Sequence, residues 1–445
     1  MREIDTLIQA RWVAPVDGDS RLLEDHAVAV HQGRIEALLP IEEALSRYTA
    51  DEHIELGSHV LLPGLVNAHT HAAMCLMRGI ANDRPLMPWL TEHIWPTEGE
   101  HMSPEFVADG TDLAMAEMLR GGTTSFNDMY YFPDVVAERV DAAGMRAAIG
   151  MIVIDFPTVW AANADEYLEK GLAVRDMWRG HERVTTMFAP HAPYTVSDAP
   201  LEKIRTFADE MDLRVHMHVH ETAFEVADAA HNHGMRPLAR LDDLGLLTPG
   251  FLAVHMTQLN DDEIDLCARN GIHVLHSPES NLKLASGLCP VQKLVDAGIN
   301  VALGTDGAAS NNDLDMIGEM RSAAFIGKIA ADDATAVSAD TVLHMATLGG
   351  ASALGLGDIT GSITPGKAAD LCAIDLDALE TTPTFDPIAT VVYNASREQV
   401  TDTWVAGRRL LADRQLTTLD EADIRARTAR WREKITQHAR NGDAS

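Results

Sequence analysis

Between about residues 60 and 306 the chain alternates short apolar, β-branched runs with longer segments of helical period, separated by Gly, Pro and Asp/Asn/Ser boundaries. The runs predict strands at 60–68, 123–127, 146–154, 183–189, 213–220, 251–255, 272–276 and 299–304. Helix signals lie between them. Ser103-Pro104 opens a helix that stops at Gly121-Gly122, and Pro133 opens another that stops near Gly144. Further helical periods fall at 197–211, 223–233, 261–270, 290–297, 313–331 and 338–348. Eight strands, each followed by a helix, over roughly 250 residues predict an α/β fold, a (β/α)8 TIM-type barrel. The flanks read differently, as short alternating segments with Gly and Asp turns, which is β-hairpin material. The expected organisation is therefore a small β-sandwich built from both termini (1–57 and 363–415), a barrel over 58–362, and a C-terminal helix and tail over 416–445.

Composition narrows the function. Thirty-five Lys and Arg face 67 Asp and Glu, a formal charge of −32, so no nucleic-acid partner and no anionic-membrane partner is expected. The N-terminus has no uninterrupted apolar stretch and no run of eighteen apolar residues occurs, so neither a signal peptide nor a membrane span is expected. Four scattered cysteines (Cys75, Cys267, Cys289, Cys372) form no C-x-x-C pair, which argues against a disulfide framework and a thiolate zinc site and for a cytoplasmic location. A homo-oligomer is the base-rate expectation. Twenty histidines are the first hint of metal chemistry.

In a parallel barrel the chemistry sits at the C-terminal ends of the strands. His69 and His71 end the first predicted strand, His191 follows the fourth, His218 and Glu221 end the fifth, His255 the sixth and Asp306 the eighth. Each is weak alone: H-x-H is more often two unrelated histidines, and Asp before Gly is usually a turn. Of His216, His218 and His220, one or two can reach the mouth, so at least one is structural. Together, three imidazoles and one carboxylate suit zinc or another divalent first-row ion, with a position left for water. The fourth strand ends MFAPHAPYTVS without Lys, Asp or Glu, so one metal per subunit is expected. Glu221 is either a proton shuttle with a pKa raised by burial or a silent helix-N-terminal acid. His255 either orients water or is a satisfied core histidine.

The segments PGLVNAHTH, H-x-x-E at His218 to Glu221, AVH at His255, LGTDG at Asp306 and GSITPGKAADL (361–371) resemble the amidohydrolase superfamily across nearly the whole chain. Within it the sequence resembles the branch of methylthioadenosine/S-adenosylhomocysteine deaminases and chlorohydrolase-like enzymes. The resemblance implies a metal, zinc above all, held by His69, His71, His218 and Asp306. It implies Asp306 as acceptor of the attacking water's proton, Glu221 as shuttle to the leaving ammonia, and His255 as polariser of the hydroxide. It further implies that Glu98 binds the ribose hydroxyls of a small-molecule nucleoside and that His191 contacts substrate near the metal. Trp89, Met74, Met77 and Met87 are candidates for an apolar slot. Some similar enzymes that accept S-adenosylhomocysteine hold its carboxylate with arginines after strand three, whereas here 147–174 contains no Arg and only Lys170. The expected activity is hydrolytic deamination of adenosine-type nucleosides, with 5′-methylthioadenosine favoured and S-adenosylhomocysteine and adenosine as further candidates. Alternatives are a guanine or s-triazine hydrolase, which would leave Glu98 nothing to bind, and a non-catalytic scaffold, which has no need of the cluster.

Overall fold

The computed structural model describes residues 1–19 and 21–442, with the side chains of 438–442 left undescribed; residues 443–445 of the expected C-terminal tail lie outside it. The N-terminal flank forms β1 (Arg2–Val13), β2 (Leu23–His31), β3 (Arg34–Pro40) and β4 (Tyr48–Pro63). The barrel strands follow as β5 (Leu65–Thr70), β6 (Thr123–Tyr130), β7 (Arg146–Val153), β8 (Val184–Pro190), β9 (Val215–Val219), β10 (Phe251–His255), β11 (His273–His276) and β12 (Val301–Leu303). They pair in parallel in sequence order, and all eight expected strands are present. The C-terminal flank adds β13 (Leu371–Asp375), β14 (Val400–Val405), β15 (Arg408–Ala412) and β16 (Gln415–Leu416).

Both flanks join in one mixed eight-stranded sheet, in the order β16-β15-β14-β13-β4-β1-β2-β3. The seam is β13 against β4, where Leu371 pairs with Pro63 and Asp375 with His59. One apolar cluster gathers Ile8, Val28, Leu56, Leu371 and Trp404 from the five consecutive strands β2, β1, β4, β13 and β14 and forms a core for this sheet. Only Gly64 separates β4 from β5, and the first expected strand (60–68) therefore divides between the two sheets. A Cβ at Gly64 would lie 2.2 Å from the Thr124 side chain. Only glycine fits there.

The helix ends follow the local chemistry. Ser103 accepts a hydrogen bond from Phe106 N and Pro104 occupies the first turn of the helix Pro104–Arg120. Gly144, at φ +84°, ends the helix Pro133–Ala143. No helix among the described residues is long and apolar enough to cross a membrane. All four cysteines are buried and free.

Barrel and terminal sheet are tied by a buried ion pair. Arg146 Nε, at the start of β7, donates to Asp370 Oδ2 over 2.8 Å, with side-chain exposures of 2% and 0%. Asp370 also accepts from Ala406 N at 2.7 Å. Asp370→Ala would leave a buried guanidinium uncompensated and is expected to cost about 3–5 kcal/mol. A fall in the thermal denaturation midpoint, with the zinc content of the surviving folded protein unchanged, checks this.

Candidate active site

The barrel closes where β12 returns to β5, and closure builds the site. Asp306 N donates to His69 O over 3.0 Å, while the Asn67 amide donates to Thr305 Oγ1 and accepts from Thr305 N. Gly304 is the point of closest approach, since a Cβ there would stand 2.6 Å from His69 N. The backbone then holds His255 at φ +74° and Asp306 at φ +64°, left-handed conformations that cost of order 1–3 kcal/mol in a non-glycine residue. Such strain clusters at functional positions.

Four donors converge: one ligand atom each of His69, His71, His218 and Asp306 lies within 4.8 Å of the others. His69 Nε2 and His71 Nε2 each stand 3.2 Å from Asp306 Oδ1, and His218 Nε2 is 3.2 Å from His69 Nε2. Two rings are fixed by carbonyls: His71 Nδ1 donates to Met129 O at 2.6 Å and His218 Nδ1 to His191 O at 2.8 Å. Each leaves Nε2 free to bind a cation. Burial pushes His69 down to about 4 and holds His218 well below the usual histidine range, so both are neutral donors. At His71 burial acts the same way, but its bond to Asp306 prevails and raises it to about 9. That carboxylate therefore demands positive charge at this spot. Three imidazoles and a carboxylate, with no thiolate, fit one divalent metal ion, with zinc the natural occupant.

Of the groups that support the cluster only Gly307 lies in a motif of the sequence, LGTDG, and the supporting side chains were not legible there. Ser280 Oγ and Ser310 Oγ both donate to Asp306 Oδ2, at 2.6 and 2.8 Å, and Gly307 N donates to Oδ1. Asp128, at the end of β6, accepts from Ala72 N at 2.7 Å and so holds the turn after His71. The question left open among His216, His218 and His220 is resolved. His216 lies beneath the cluster, 3.0 Å from His69 Nδ1 and 3.1 Å from the Asn127 amide, while His220, at φ +54°, turns away to accept from Leu238 N.

Glu221 lines the cavity over the cluster, with Oε2 at 3.9 Å from His255 Nε2. It is not the cap of the following helix, because Thr222 takes that role by accepting from Glu225 N. Burial, reinforced by the charge of Asp306, raises its pKa to about 8. His255 donates through Nδ1 to Asn281 Oδ1 at 2.9 Å, which leaves Nε2 facing the cavity. His191 bonds Thr195 Oγ1 at 3.0 Å, and burial lowers it to about 3.

Glu98, Trp89 and Met74 all line the pocket. Met77 and Met87 do not: Met77 is fully buried in the core, and the wall they were expected to form is supplied by Leu86, Leu90, Ile94 and Trp95. The space over the cluster, about 80 Å3, adjoins a second hollow of about 180 Å3 that shares Trp95, Glu98, Tyr131 and Phe156 with it and is also walled by Met102 and Val159. No Lys or Arg lines either hollow among the described residues. Lys170 is engaged elsewhere, with Glu166 at 2.7 Å and with the Trp160 carbonyl.

A parallel barrel with a His3Asp donor set at its C-terminal mouth defines the class, a barrel with a mononuclear divalent-metal site. The chain belongs to the amidohydrolase family, whose profile matches residues 60–410. It is 50% identical over 432 residues to the 5-methylthioadenosine/S-adenosylhomocysteine deaminase of Teredinibacter turnerae, covering 97% of this chain and 98% of that one. The protein of that name from Saccharophagus degradans is 47% identical, with 98% of each chain covered. Among solved structures, an adenosine deaminase from Xanthomonas campestris with bound zinc superposes with a TM-score of 0.97 at 52% identity, over 98% of this chain and 99% of that one.

Proposed function

We propose that the protein is a metal-dependent hydrolytic deaminase of adenosine-type nucleosides that releases ammonia and the inosine analogue, with 5′-methylthioadenosine its preferred substrate. The observation that carries this reading is a buried acid, Glu221, beside a His3Asp donor set, with a second buried carboxyl, Glu98, lining the same pocket. The near-full-length similarity to proteins named as such deaminases supports the chemistry. A divalent ion held by His69, His71, His218 and Asp306 would supply Lewis acidity and make water a nucleophile near neutral pH.

The chain's own groups do the rest. As water adds at C6 of the purine, Asp306 accepts its proton, with the carboxylate held in place by Ser280, Ser310 and Gly307 N. Glu221, protonated at neutral pH by its raised pKa, donates to N1, takes up the remaining proton of the oxygen added at C6, passes it to the departing amino group, and is reprotonated from Asp306. His255, pinned by Asn281, offers Nε2 to polarise the attacking water. Ammonia leaves and the oxygen stays on C6. Glu98 accepts from the ribose hydroxyls through charge-assisted bonds, which selects a nucleoside over a free base, and His191 contacts the ring near the cluster.

The preference for methylthioadenosine rests on the hollow beyond Glu98. Its apolar walls suit a thioether, whereas the ammonium and carboxylate of a homocysteine tail would enter without a cationic partner. kcat/KM is expected to favour methylthioadenosine over S-adenosylhomocysteine by at least about tenfold. The test is ammonia release by zinc-reconstituted protein offered methylthioadenosine, S-adenosylhomocysteine, adenosine and guanine, beside a metal-free control. Equal rates on the first two would remove the argument from the uncharged hollow. Turnover of guanine with silence on every nucleoside would overturn the substrate class.

A further inference from the structure

Glu98 comes from the helix Trp95–His101, on the long connection between β5 and β6, whereas Tyr130 is the last residue of β6. The Tyr130 hydroxyl donates to Glu98 Oε1 over 2.7 Å in a site where the two residues are 4% and 9% exposed. No other side chain bonds the Glu98 carboxyl among the described residues. Tyr130 also lines the cavity, beside Trp95 and Tyr131, so this contact is made inside the pocket and not behind it.

Resting on the reading of Glu98 as acceptor of the ribose diol, we infer that Tyr130 is a specificity-determining positioning residue. Its hydroxyl occupies one oxygen of Glu98 and turns the other toward the nucleoside, so a rigid barrel strand sets the strength of diol recognition. The physical reason is pre-ordering. A glutamate has several rotatable bonds, and a carboxylate already held in the productive orientation loses less freedom when the substrate's hydroxyls arrive. The bond acts on charge as well. Burial pushes the Glu98 carboxyl up to about 7, and the Tyr130 hydroxyl is the strongest influence opposing that rise. It therefore favours the ionised acceptor, which makes the stronger bonds to neutral hydroxyls.

The test compares adenosine with 2′,3′-dideoxyadenosine in the zinc-loaded wild type and in Tyr130→Phe, Glu98→Gln and the double variant. Thermal midpoint and zinc content verify that each is folded and loaded. Dissociation constants for inosine and 2′,3′-dideoxyinosine are measured alongside. The wild type is expected to favour the diol substrate by about a hundredfold, as two charge-assisted bonds of modest strength would give. Tyr130→Phe is expected to cut that ratio to below about tenfold, with the loss in KM and in inosine affinity rather than in kcat, and with the dideoxy compounds affected far less. The two single substitutions should be strongly non-additive, because they remove parts of one interaction. A Tyr130→Phe enzyme that keeps the wild-type ratio, or that loses both substrates equally through kcat, overturns the role of Tyr130 and leaves that of Glu98 intact. A wild type with no preference for the diol overturns the reading of Glu98 itself, and the inference with it.

Discussion

Glu221→Gln is expected to lower kcat by about 10^2- to 10^4-fold while leaving fold and zinc content unchanged. The substitution keeps the shape of a side chain that makes no hydrogen bond to a metal-donor residue, so the cluster has no reason to shift. What disappears is the proton. An amide can neither deliver one to N1 nor carry one to ammonia. The pH profile gives an independent check. Burial raises the Glu221 pKa to about 8, so the acid form is present below that value and is lost as pH rises through it. Turnover should fall on the alkaline side, and a cation at the neighbouring cluster, which favours the ionised form, would draw the limb toward lower pH. In Glu221→Gln the residual rate should lack this limb. Near-normal activity, or an unchanged alkaline limb in the variant, would show that some other group handles the proton.

The second large effect is expected from His218→Ala. It removes one of three imidazole donors and leaves the His191 carbonyl without the ring N–H it accepts from. The variant should purify with little zinc and lose activity to the level of the chelator-treated wild type, and added zinc should restore the wild type but not the variant. His220→Ala is the control, since His220 bonds Leu238 N and is not one of the donors. Metal content by elemental analysis separates the outcomes. A His218→Ala protein that holds one equivalent of zinc would remove His218 from the donor set.

Much of this architecture was legible along the chain because barrel strands and helices differ in period. The expected strand at 251–255 coincides with β10, and the expected helices at 223–233 and 261–270 coincide with those observed. Where boundaries moved, a three-dimensional contact moved them. The strand expected at 299–304 shortens to Val301–Leu303 because Gly304 must already leave the strand to pass His69 N, and the strand expected at 60–68 divides at Gly64, against Thr124. Met77 and Met87 illustrate the limit of composition, since side chains of the right type can point into the core or off the wall.

By itself the sequence determined the repeat of strand and helix, the joining of the two flanks outside the barrel, and His69, His71, His218, Asp306, Glu221, His255 and His191 as candidates, because each is a chemistry-bearing residue at or just after a strand end, whereas Glu98, on the helix Trp95–His101, was reached only through the family resemblance. Only the tertiary structure decided which common residues serve them. Tyr130 on Glu98, Asn281 on His255, Ser280 on Asp306, and His216 under His69 belong to other strands and loops, from 26 to 147 positions away in the chain, while Ser310 reaches Asp306 from four positions on in the same loop. A serine, tyrosine or asparagine has no pattern that announces a distant partner. Barrel closure brings these residues together, and the burial that follows gives the carboxyls and imidazoles of the site their shifted pKa values.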